Sequence, residues 1–112
     1  MCLIPDPAAI DDFTSDHTAI SIARTECHYM VNKCFLPSDS HLLDDAQKIS
    51  HIPCRIVHGR YDVICAAKAA WQLHKVLPKS DLRFVPDGGH SPFDPGMTDQ
   101  LIQATEDFKS LF

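Results

Sequence analysis

The sequence predicts an α/β chain built on a parallel sheet. In its second half two short apolar strand candidates alternate with two amphipathic helices, the strand–helix–strand–helix order of a parallel sheet. Each strand candidate runs into a polar, glycine-bearing loop. The first half carries helical periodicity and no clear strand. Two parallel strands do not make a self-sufficient sheet, because such strands are normally covered on both faces and belong to larger sheets. With 112 residues, the chain is expected to be part of a larger fold or to lie beside another chain.

Residues 1–13 read as an irregular lead-in interrupted by Pro5 and Pro7. A helix is expected from Ser15 or Asp16, either a good N-cap, with Ile20, Ala23, Cys27, Met30 or Val31, and Cys34 on one apolar face ending before Pro37. A shorter helix follows from Asp39 to Ser50, with Leu42, Leu43, Ala46 and Ile49 inward. Ile52 to His58 reads as a buried strand closed by Gly59. Ala66 to Leu77 has helical spacing at Ala67, Ala70, Trp71 and His74, and stops at Pro78. Asp81 to Val85 is the second strand, ended by Pro86-Asp87-Gly88-Gly89. Asp94 as N-cap and Pro95 at the first helical position open the last helix, whose inward stripe is Met97, Leu101, Ala104, Phe108 and Leu111.

Composition excludes several classes. Ten Lys+Arg against 15 Asp+Glu leave a net charge of −5 and no basic footprint for nucleic acid. No apolar run approaches the roughly 20 residues of a membrane span. Met1 to Ile10 lacks the basic start of a signal peptide. With 45% hydrophobic and 22% charged residues the chain is not of disordered type. Five cysteines at irregular spacing fit a reducing, cytoplasmic setting better than a disulfide scaffold. The neighbours Cys27/His28 and Cys54/His58 invite a zinc reading, but there is no C-x-x-C and no repeated ligand spacing, so buried apolar thiols are the expectation.

The carboxyl ends of parallel strands are where ligands bind. Two polar loops fall there, His58-Gly59-Arg60-Tyr61-Asp62 and Asp87-Gly88-Gly89-His90-Ser91. A right-handed crossover would make their strands neighbours, roughly 5 Å apart. Asp62 and His90 could then meet as the acid and base of a hydrolytic triad. The plainer alternative is an aspartate that forms a turn and a histidine on a surface loop. Among seven histidines, the other six fall in or beside expected elements and read as solvated or structural. A nucleophile in a G-x-S-x-G elbow is missing: the first glycine is Gly59, and Ser15, Ser21, Ser38, Ser40 and Ser50 lack that context.

The stretch Ile52-Pro53-Cys54-Arg55-Ile56-Val57-His58-Gly59-Arg60-Tyr61-Asp62 resembles the acid-bearing strand and loop of the prolyl aminopeptidases (proline iminopeptidases), an α/β-hydrolase family. Leu82 to Ser91 looks like their histidine loop, and Pro95-Gly96 through Ala104-Thr105 and Phe108 continues the match. Ala23-Arg24-Thr25-Glu26-Cys27-His28-Tyr29 is similar to the cap-helix motif A-R-x-E-x-H-Y, and Leu3-Ile4-Pro5-Asp6-Pro7 to the segment before it. Cys34 stands where a glycine is usual and Met30 where a phenylalanine is.

The resemblance implies the C-terminal part of an α/β-hydrolase fold, its last parallel strands and helices in residues 51–112, preceded by the end of a helical cap in residues 1–50. It implies a serine hydrolase releasing N-terminal proline from peptides. Asp62 and His90 would be catalytic, and Glu26 would bind the substrate's free amino group. The nucleophilic serine would lie outside this chain, which alone is expected to be inactive. No cofactor or metal is implied, and the partner is a peptide with a free N-terminal proline, with no nucleic acid or membrane. Two alternatives stay open: a non-catalytic interaction module that self-associates through an exposed sheet edge, and another α/β-hydrolase such as an esterase.

Overall fold

The computed structural model describes residues 7–13 and 16–111. Cys2, Leu3 to Asp6 and the expected cap Ser15 lie outside the described residues. Two units emerge, one of residues 7–41 and one of 42–111.

The first unit is helical. Its start is not irregular: Pro7–Phe13 is a helix, α1. Proline at a first helical position gives up an N–H that has no partner there anyway, and its fixed φ suits the helix, so Pro7 begins the element rather than breaking it. Asp16–Val31 forms α2. The apolar face expected on α2 is not buried, and Ile20, Met30 and Val31 are exposed. Among the described residues of the unit, α2 meets only α1 and the following turn, too little surface to cover a 16-residue helix. The helix also stops before Cys34. Lys33–Phe35 is a single tight turn whose residues take φ of 49°, 54° and 57°. That left-handed region favours glycine, the residue that the family resemblance leads one to expect at Cys34. Edge contacts of Tyr29 with His28 and Phe35, and a tilted contact of His28 with Phe35, hold the turn against the end of α2.

The second unit carries the sheet. The helix expected from Asp39 to Ser50 is divided into α3, His41–Asp44, and a 3-10 turn, Asp45–Ile49. Only Ala46 of its expected inward residues is buried, while Leu42 and Ile49 are exposed. β1 is Cys54–Gly59, α4 is Ala67–Val76, β2 is Ser80–Val85 and α5 is Pro95–Lys109. β1 and β2 pair in parallel, from Cys54 opposite Ser80 to Gly59 opposite Val85. They are the only strands among the described residues. Leu77, Val85, Met97 and Ala104 form the buried apolar centre with Ala46. Trp71, Leu101 and Leu111, expected inward, are exposed.

Polar contacts fix how the helices meet the sheet. Ser80 Oγ donates to the Leu77 carbonyl at 2.7 Å and accepts from His74 Nδ1 at 2.8 Å, closing the turn from α4 into β2. The Arg55 guanidinium on β1 donates through Nη1 to Asp107 Oδ2 of α5 at 2.8 Å. Its buried Nε lies 2.8 Å from Asp81 Oδ2, a charge contact at an angle that makes no hydrogen bond. A hydrogen bond from Gln103, another from Arg55 and the charges of Arg55 and Arg83 outweigh desolvation and hold the Asp107 carboxyl below its usual 3.8.

A carboxylate held low in the folded chain stabilises it above the unfolded value, and loses that effect as pH falls through the folded one. Asp107→Asn should therefore lower the urea midpoint at neutral pH. The gap to the wild type should close as pH is taken below 3.8. A gap that stays constant across this range would show that Asp107 contributes by packing rather than by charge.

Candidate active site

The carboxyl ends of β1 and β2 are bound together by backbone. Arg60 N–H donates to the Val85 carbonyl at 3.0 Å, and Tyr61 N–H to the Gly88 carbonyl at 2.9 Å. Gly59 makes this possible. A Cβ at that position would stand 2.0 Å from the Gly89 carbonyl oxygen and 2.7 Å from Gly88 carbonyl atoms, so only a glycine lets the two loops approach.

Asp62 sits at the turn beyond Gly59, its side chain only 8% exposed. Its Oδ1 accepts the backbone N–H groups of Ile64 at 2.9 Å and Cys65 at 2.8 Å. His90 Nδ1 lies 3.2 Å from Oδ1 and 3.1 Å from Oδ2. A carboxylate only accepts, so Nδ1 carries the proton and Nε2 is left as the acceptor. Burial pushes the Asp62 carboxyl up, but the N–H of Cys65, the hydrogen bond from His90, the N–H of Ile64 and the charge of His90 together hold it below its usual 3.8. The His90 side chain is 39% exposed.

The His90 loop is tied down from the opposite side. Asp94 is buried, and its Oδ2 accepts the Gly89 N–H at 2.7 Å. Asp94 stands at the N-cap of α5 as expected, yet its side chain makes no cap hydrogen bond to that helix. The buried Ser91 takes the Phe93 N–H on Oγ at 3.1 Å.

No family profile matches the chain. Individual relatives do. The sequence is 48% identical over 106 residues to a probable proline iminopeptidase of Leptolyngbya boryana, covering 95% of this chain and 33% of that protein. It is 47% identical over 109 residues to a proline iminopeptidase of Arabidopsis thaliana, with 97% and 29% covered. A Neisseria gonorrhoeae proline iminopeptidase is 42% identical over 102 residues, with 91% and 32% covered. The chain belongs to the proline iminopeptidase family. It spans about a third of the length of these relatives, matching their C-terminal portion.

In this chain Asp62 and His90 come together, whereas Glu26 stands exposed on α2 in the other unit. The four described cysteines are free thiols, and Cys27, Cys34 and Cys65 are exposed rather than buried as expected, because they lie on an uncovered helix face, a turn and a loop. Three participants were not legible from spacing. Asp94 acts on the histidine loop from a cap position. Cys65 belongs to the Asp62 turn. His58 stands with its Nδ1–H on the Gly59 carbonyl at 2.8 Å and its Nε2 4.0 Å from Asp62 Oδ2. A groove of about 460 Å³ between the end of β2 and the start of α5, lined by Arg83, Asp87, Gly96 and Asp99 among others, includes neither residue of the Asp62–His90 pair.

Proposed function

We propose that this chain carries the acid and base of a serine-type exopeptidase that releases N-terminal proline from peptides. The observation that carries the reading is the hydrogen bond between Asp62 and His90 at the ends of adjacent parallel strands, in a chain matching proline iminopeptidases. Such an arrangement suits the last strands of an α/β-hydrolase fold, with the helical unit as the end of its cap. Asp62 holds the His90 proton on Nδ1. Nε2 can then take the proton of a serine hydroxyl and return it to the leaving amine, while the ionised Asp62 stabilises the imidazolium between the two steps. Asp62 stays ionised because its hydrogen bonds hold its carboxyl low. Glu26 pairs with the ammonium of the substrate's first residue. The free thiols agree with a cytoplasmic setting, and among the described residues no helix is long and apolar enough to cross a membrane.

These 112 residues contain no G-x-S-x-G elbow, so the chain alone should not hydrolyse a proline-N-terminal chromogenic peptide. Joined to the preceding part of the Leptolyngbya boryana relative, it should do so. A folded chimera without activity would overturn the reading, as would turnover by the 112-residue chain that His90→Ala abolishes.

Glu26→Gln in the active chimera tests the anchor. A hydrogen bond to a charged group contributes about 1.5–3 kcal/mol, or roughly 10- to 150-fold. The loss should appear in kcat/KM for a peptide with a free amino terminus and be nearly absent for a simple ester. Equal losses on both would favour an esterase.

A further inference from the structure

We propose that Asp62, Cys65 and His90 form a three-ligand site for a thiophilic divalent cation of the zinc type. One ligand atom from each residue lies within 4.8 Å of the others, the only such group among the described residues. Carboxylate, thiolate and imidazole are the donor types that zinc accepts together. The fit is close. Tetrahedral zinc with bonds of 2.0–2.1 Å needs its nitrogen and oxygen ligands roughly 3.3 Å apart. His90 Nδ1 and Asp62 Oδ2 are already 3.1 Å apart. A cation can therefore replace the proton between them with little movement of either loop, and the Sγ of the exposed Cys65 already lies within 4.8 Å of both ligand atoms.

A further donor stands beside the group. His58 gives its Nδ1–H to the Gly59 carbonyl, which leaves Nε2 as an acceptor 4.0 Å from Asp62 Oδ2. Pinning one ring nitrogen on a backbone carbonyl is how ligating histidines are usually oriented. Neither C-x-x-C nor Cys–His spacing announces the site, because Cys65 joins it through a three-residue step from Asp62 and His90 arrives from the next strand.

Occupancy has a chemical consequence that rests on the function proposed above. With Nδ1 on a cation, the neutral imidazole carries its proton on Nε2, the nitrogen needed as base. Cation binding and hydrolysis are then mutually exclusive.

The test uses the 112-residue chain, with folding followed by far-ultraviolet circular dichroism. Cobalt(II) should bind at one per chain, give a thiolate-to-cobalt charge-transfer band and be displaced by zinc. Cys65→Ser should remove that band and weaken zinc binding at least about tenfold, and His90→Ala should weaken it similarly. Cys27→Ser should change neither. In the unmutated chain, zinc should slow alkylation of Cys65 by iodoacetamide while Cys27 and Cys34 react as before. A band that survives Cys65→Ser, or Cys65 alkylation unaffected by zinc, would overturn the site. Neither readout involves hydrolysis, so the cation site and the aminopeptidase reading can fail separately.

Discussion

Asp62→Asn, in the chimera that supplies the missing serine, should lower kcat by about 10⁴-fold while leaving KM within a few-fold. The size follows from the tautomer. In the structure the carboxylate accepts from His90 Nδ1 at 3.1–3.2 Å. An asparagine amide presented to the same nitrogen through its NH₂ group would favour the tautomer with the proton on Nε2. That form cannot take a proton from serine. The charge that stabilises the imidazolium is lost as well. The fold should tolerate the change, since the amide oxygen can keep the N–H groups of Ile64 and Cys65. His90→Ala should cost a similar factor, and the double variant little more, because the two residues act as one unit. Steady-state kinetics on a proline-N-terminal substrate checks this. A loss under tenfold for Asp62→Asn would mean that His90 is not the base.

Gly59→Ala is the second change expected to have a large effect, this time on folding. The added Cβ would meet the carbonyl of Gly89 at 2.0 Å and atoms of Gly88 at 2.7 Å. All are backbone atoms, which cannot rotate away. Overpacking of a side chain by a methyl group typically costs about 1–3 kcal/mol, and a clash with main chain belongs at or above the top of that range. The cost should appear in urea denaturation of the 112-residue chain. Relief requires the two loops to part, so the Arg60–Val85 and Tyr61–Gly88 hydrogen bonds should weaken together. By contrast, Tyr61→Ala removes an exposed side chain and keeps the N–H that bridges the loops, and should leave stability nearly unchanged. Equal losses from the two substitutions would rule out the close approach as the cause.

Much of the second half could be read from residues alone, because each element there carries its own punctuation. Pro78 stops α4, Asp94-Pro95 starts α5, and the apolar run through Ile56 and Val57 becomes β1. One connecting helix between two strands dictates parallel neighbours, which brings Asp62 to His90. The first half is less legible for a physical reason. Periodicity says which residues share a face but not whether anything covers it, and α2 has Ile20, Met30 and Val31 exposed. Pro7 reads as an interruption beside Pro5, whereas in the structure it opens α1, where its missing N–H costs nothing. Side-chain contacts were legible least. That Asp94 would reach back to Gly89 instead of capping α5, or that Cys65 would join the aspartate turn, depends on loop geometry that no spacing encodes.

The Asp62 turn also bears on the order in which such a site assembles. Its carboxylate is held by amides two and three residues ahead in sequence, contacts that close small loops at little entropic expense. The bond to His90 spans 28 residues and exists only once β2 has docked on β1. Folding would thus set the carboxylate first and bring the histidine to it last. The histidine gains its partner only when the sheet register is complete, so in an incompletely folded chain its ring is not oriented by Asp62.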